Sequence, residues 1–96
     1  MQQKDYQDAA QRYEQALAQF HDMEDRRGEA DAQLALGEVR HRQRQSEEAV
    51  RLWSHALTAY RDSRDRFGEA QTIACLGEEC LLLHDYAGAL TNFQAA

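Results

Sequence analysis

The side chains that could ligate a metal or attack a substrate are four histidines (His21, His41, His55, His84), two cysteines (Cys75, Cys80) and seventeen carboxylates. No two histidines stand three or four residues apart, so no helix face presents a histidine pair to a cation. Glu38 and His41 are three apart, the Glu-x-x-His spacing of helical di-iron bundles. Such a centre needs a second copy on another helix, yet Glu78 and Glu79 are followed three residues on by Leu81 and Leu82. The histidines therefore read as solvated groups on helix surfaces. No serine or cysteine sits in a nucleophile turn, and no glycine-rich loop is built to cradle phosphate. The sequence predicts no enzyme, no metal and no cofactor. Cys75 and Cys80, five apart, point about 140° away from each other around a helix, a poor geometry for a disulfide. They read as small apolar groups, and two cysteines make no secreted framework, so a reducing cytoplasm is expected.

One cluster, Arg40-His41-Arg42-Gln43-Arg44, has the charge to meet phosphate or an acidic peptide. The favoured reading is a helix C-terminus whose cations complement the backbone dipole, partly balanced by Glu47 and Glu48. The whole chain argues the same way. Its net charge is −6, its pI is near 5.1, and neither nucleic acid nor an anionic membrane is an expected partner. No apolar run approaches the roughly 18 residues of a bilayer span, and Met-Gln-Gln-Lys-Asp is no secretory signal. Ninety-six residues allow one small domain. Proline is absent, and alanine, glutamine, glutamate and arginine are good helix formers. Arginine is used almost to the exclusion of lysine, which stands only at Lys4, and this fits a GC-rich bacterial source.

What positions these residues is a repeat. Displacing the chain by 40 residues pairs 1–56 with 41–96 and gives fifteen identities. Ala9, Ala49 and Ala89 align, as do Ala16, Ala56 and Ala96. Asp25-Arg26-x-Gly28-Glu29-Ala30 returns as Asp65-Arg66-x-Gly68-Glu69-Ala70, and Leu36-Gly37-Glu38 as Leu76-Gly77-Glu78. Tyr13, Trp53 and Phe93 share one aromatic position; Phe20 and Tyr60 share another. Each period reads as two helices. Ala49, Val50, Trp53, Ala56, Leu57 and Tyr60 step by three and four along one outer helix. Ala30, Leu34, Gly37 and His41 lie on one stripe of an inner helix, answered by Ala70, Ala74, Gly77 and Leu81. Asp25 and Asp65 are expected to cap the inner helices, and Ser46 to cap the outer helix with Glu47 and Glu48 behind it. Helices are predicted over 5–22, 26–43, 46–63, 66–83 and 86–96. Gly37 and Gly77 each cost about 1 kcal/mol in a helix interior relative to alanine. A cost repeated at one position implies close approach of a large group, and Trp53 and Phe93, sixteen residues on, are the expected occupants.

Leu36-Gly37 followed by Ala49, Trp53 and Ala56, and Leu76-Gly77 followed by Ala89, Phe93 and Ala96, resemble the tetratricopeptide repeat. The resemblance covers nearly the whole chain, in a 40-residue form similar to that of bacterial signal-transduction regulators. It implies an all-α right-handed superhelix of tandem antiparallel hairpins. One domain, 1–96, is expected: 1–25 the outer helix of an incomplete first unit, 26–65 a full repeat, and 66–96 a second repeat truncated at its C-terminus. The sequence departs from the family at Arg40 and Cys80, where a tyrosine is usual, and at Gln33 and Ile73, where an early aromatic is usual.

The resemblance further implies a concave surface that holds a peptide or partner helix, with Asp31, Leu34, Glu38, His41, Arg42, Gln71, Ala74, Glu78, Leu81 and Leu82 lining it. Glu38 and Glu78 stand where clamps for acidic tails carry asparagine. A neutral or basic partner is expected, either using Leu81 and Leu82 or leaving them to pack on a following unit. Both ends expose uncapped apolar helix faces. A fragment of a longer array is one expectation, and a homodimer through the terminal helices is the other.

Overall fold

A computed structural model describes residues 3–82. Within them lie four helices and no strand: α1 (Gln3–Asp22), α2 (Arg26–Arg42), α3 (Ser46–Asp62) and α4 (Arg66–Leu82). The fold is an all-α helical repeat, as the periodicity predicts. The expected helix over 86–96, with Ala89 and Phe93, lies outside the described residues. Three-residue links join the helices, so successive helices run antiparallel. α1 packs on α2, α2 on α3, and α3 on α4.

Every link closes alike. Glu24, Arg44 and Arg64 take left-handed conformations, with φ of 56°, 63° and 58°. The amides of Asp25, Gln45 and Asp65 donate back to the carbonyls of Phe20, Arg40 and Tyr60 at 2.9, 2.8 and 2.9 Å. This is the Schellman closure, here without the usual glycine. Each such residue bears a cost of roughly 1 kcal/mol. The next helix then starts at a set position. Asp25 Oδ1 accepts from the Gly28 amide at 2.9 Å and Asp65 Oδ1 from the Gly68 amide at 3.0 Å, the expected caps. α3 differs from expectation: the link geometry puts Gln45 at the cap position with no side-chain cap bond, and Ser46 is already the first helical residue.

Packing relies on small residues meeting rings. Ala30, Ala49, Ala56 and Ala59 are buried, bringing backbones close, and Trp53 and Tyr60 fill the space between them. A Cβ built on Gly37 would stand 2.6 Å from Trp53 Cδ1, closer than carbon atoms approach. The indole is held there, since Nε1–H donates to the Leu34 carbonyl at 3.1 Å. The predicted contact of Trp53 with Gly37 is thus present. Gly77 is buried, but its expected partner Phe93 lies outside the described residues. Two further glycines do the same work. Phe20 lies against Gly28 and Tyr60 against Gly68, with Cγ atoms 2.6 and 2.8 Å from where a Cβ would stand. In each case the ring stands eight residues before its glycine, across a link.

Salt bridges tie unit to unit at the link end. Arg26 Nη2 donates to Asp62 Oδ2 at 2.9 Å, and Arg27 Nε lies 3.1 Å from Asp65 Oδ2. The first pair is solvated and contributes little beyond register, whereas the second closes on an Asp65 side chain that is largely buried.

Gly37→Ala decides whether the ring sets the sequence. In an exposed helix this change stabilises by about 1 kcal/mol. Here the new methyl meets an anchored indole, and overpacking costs about 1–3 kcal/mol. The expected result is a lower melting temperature in a circular-dichroism melt; a rise would show that Trp53 yields freely.

Candidate functional site

The inner helices α2 and α4, with α1 beside them, enclose two adjoining hollows. The first, about 490 Å³, is lined by Asp31, Leu34, Ala35 and Glu38 of α2, Tyr60 of α3, and Gln71 and Cys75 of α4. The second, about 410 Å³, is lined by Tyr6, Ala9 and Tyr13 of α1 and by Ala35, Glu38, Val39 and Arg42 of α2. Ala35 and Glu38 form the wall they share. Helical spacing explains the row. Asp31, Ala35, Glu38 and Arg42 step by four, three and four along one face of α2, and Gln71, Cys75 and Glu78 step in the same way on α4.

Charge and hydrogen bonding define each wall. Tyr60 O–H donates to Asp31 Oδ1 at 2.6 Å, which holds the carboxylate at the mouth of the first hollow. Burial foremost, and then this hydrogen bond, push the Tyr60 phenol far above its ordinary value near 10. Arg42 Nε donates to Glu38 Oε1 at 3.0 Å. Cys75 is half-buried on the floor, and burial raises its thiol pKa, helped by the Glu38 and Glu78 carboxylates. The thiol is accordingly held protonated, a contact atom with little nucleophilic character.

The residues implied from the sequence are distributed as follows. Asp31, Leu34, Glu38 and Gln71 meet in the first hollow, and Arg42 lines the second. Ala74 and Glu78 are exposed on α4 and line neither hollow. Leu81 and Leu82 belong to the last turn of α4, and their side chains lie outside the described residues. His41 departs from both sequence readings. It is half-buried, its Nδ1 stands 2.5 Å from Oε2 of the fully buried Glu79, and its ring lies 6.0 Å from that of Trp53. The reason is a solvation demand, since a carboxylate enclosed on α4 needs a donor and the facing turn of α2 provides one. Arg40, in a position usually held by tyrosine, reaches Glu14 of α1 at 2.9 Å and Gln43 at 3.0 Å. Two arginines of the Arg40–Arg44 cluster are thereby engaged within the chain.

Sequence reasoning missed Ala35, Cys75, Tyr6 and Tyr13 as lining and treated Tyr60 as packing alone. The 40-residue register held a signal for two of these: Cys75 is the counterpart of Ala35, on the stripe of Asp31 and Glu38. Nothing in the sequence announced the Tyr60 to Asp31 bond, which spans two helices.

Among the described residues no group of three or more His, Cys, Asp and Glu side chains is placed to hold a metal ion. None of their helices is long and apolar enough to cross a membrane. A family model described as Tetratricopeptide repeat matches residues 1–72. Comparison with curated proteins and with solved structures gave no match.

The Tyr60 phenol gives a pH signature. An unfolded phenol ionises near pH 10, whereas the folded one resists because its pKa is raised. Stability from this group is therefore complete below pH 10 and declines as the pH rises further. Urea melts of the wild type should show that decline, and Tyr60→Phe should lose this part of it. The variant should also cost about 1 kcal/mol at neutral pH through the lost hydrogen bond.

Proposed function

Because the chain belongs to the tetratricopeptide repeat family and is a protein–protein interaction module, we propose that it binds an extended peptide or partner helix along the concave face of α2 and α4. The observation that carries this reading is the first hollow, where Asp31, Leu34, Ala35 and Glu38 of α2 face Gln71 and Cys75 of α4. A surface with half-buried Leu34, Ala35 and Cys75 beneath a rim of Asp31 and Glu38 offers apolar contact with polar registration, the make-up of an interface core and its rim. The carboxylate rim favours a neutral or basic partner. The contacts involve shape and hydrogen bonding with no bond-making step, within a larger bacterial regulator or scaffold acting in signal transduction in the cytoplasm.

The test uses affinity capture with the full chain and identification of what is retained. Ala35→Arg and Glu38→Arg each place a long cation on the shared wall and should abolish capture while circular dichroism stays unchanged. Glu47→Arg, at the start of α3, should leave capture intact. Partners retained equally by all three variants would overturn the groove reading.

A second reading has its own observation. Phe67 is 80% exposed, and Ala70 and Ala74 continue an exposed apolar stripe along α4. On this reading the stripe pairs two copies of the chain. Sedimentation velocity over a concentration series should then show a dimer that Phe67→Glu dissociates; a monomer at every concentration removes self-association.

A further inference from the structure

We infer that the first hollow takes one lysine or arginine side chain of the partner, with Asp31 as its counter-ion and Tyr60 orienting that carboxylate; this rests on the groove reading above. The walls are α2 and α4, joined by Tyr60 of α3, and the lining holds no cationic side chain. Its two carboxylates differ in what answers them. Glu38 Oε1 accepts from Arg42 Nε at 3.0 Å, so this charge is already matched within α2. Asp31 has no cation within ion-pair distance among the described residues, since Arg27, one turn before it, stands 3.1 Å from Asp65 instead. The group that Asp31 does meet is neutral: Tyr60 O–H donates to Oδ1 at 2.6 Å, and Oδ2 stays available.

Tyr60 is 2% exposed and its ring lies against Gly68, so the donor is fixed by the core. A carboxylate oriented before its ligand arrives loses little freedom on binding. Leu34, Ala35 and Cys75 are half-buried and give the hollow an apolar side. A long basic side chain complements that arrangement, with its methylenes on the apolar residues and its head at Asp31. An acidic side chain would meet two carboxylates, and a short neutral one would leave the apolar side uncovered. Asp31 and Glu38 are seven residues apart, about 10 Å along the axis of α2. One charged head therefore engages one of them, and the carboxylate without a cation gains more.

The probe is a displayed library of random dodecapeptides selected against the full chain, and enrichment of lysine or arginine at one position is expected. In a synthetic copy of a selected peptide, norleucine for lysine or citrulline for arginine should weaken binding about tenfold, the worth of a charge-assisted hydrogen bond. Asp31→Asn should weaken the basic peptide to the same extent and leave the neutral one unchanged. Tyr60→Phe, which keeps a ring for Gly68, should also weaken only the basic peptide, whereas a purely structural role would weaken both. Glu38→Gln with Arg42→Gln removes a matched pair and should change little, and Glu47→Gln should change nothing. If either control matches Asp31→Asn, the attraction is general charge and the Asp31 site is refuted. Equal loss of both peptides in Asp31→Asn refutes it as well. Peptides that need the groove, as judged by sensitivity to Ala35→Arg, but carry no basic preference would sink the site and leave the groove standing. Peptides indifferent to Ala35→Arg, or no enrichment at all, would overturn both.

Discussion

The rings of Trp53, Phe20 and Tyr60 each lie against a glycine backbone, and the rest of the architecture follows from these three contacts. A helix interior tolerates glycine only at a cost, so the contact must return more than it removes. It does so by letting two helices approach until alanines such as Ala30 and Ala56 are sealed from water. The contacts are of two kinds. Trp53 on Gly37 locks the hairpin of α2 and α3. Phe20 on Gly28 and Tyr60 on Gly68 lock each outer helix to the inner helix that follows. With both kinds set, a helix has little freedom to slide or roll relative to its neighbours.

This constraint also builds the concave face. Tyr60 is a packing ring through its edge against Gly68 and a groove residue through its hydroxyl on Asp31. A single side chain thus joins the interior to the surface, and the acid at the mouth of the first hollow is positioned by the core. The shared wall of Ala35 and Glu38 has the same origin, because it is the face of α2 turned away from Trp53. Surface shape here is a by-product of helix locking.

Polar residues within the structure refine the assembly. His41 answers the enclosed Glu79, joining successive inner helices beside the Trp53 ring. Arg40 binds Glu14 across α1 and α2 at a position where a tyrosine is the common choice. Both exchange apolar contact for directional hydrogen bonds, which fix one arrangement more strictly than they stabilise it. Membership of the tetratricopeptide repeat family is compatible with these exchanges, since the glycine and alanine positions that set backbone distance are retained.

The four described helices, their antiparallel order, the Asp25 and Asp65 caps and the meeting of Trp53 with Gly37 were legible in the residues alone, because a 3.6-residue period and a 40-residue register are one-dimensional patterns. The meeting of Asp31, Leu34 and Glu38 on one face of α2 was implied by the family resemblance. The placement of Gln45 at the head of α3 instead of Ser46 depended on how the preceding helix closes on itself. Tyr60 with Asp31, His41 with Glu79, and the hollows that bring Tyr6 and Cys75 to one surface depended on the rotation and spacing of whole helices. Those quantities are settled by the summed packing of many side chains, and no local pattern in the chain encodes them.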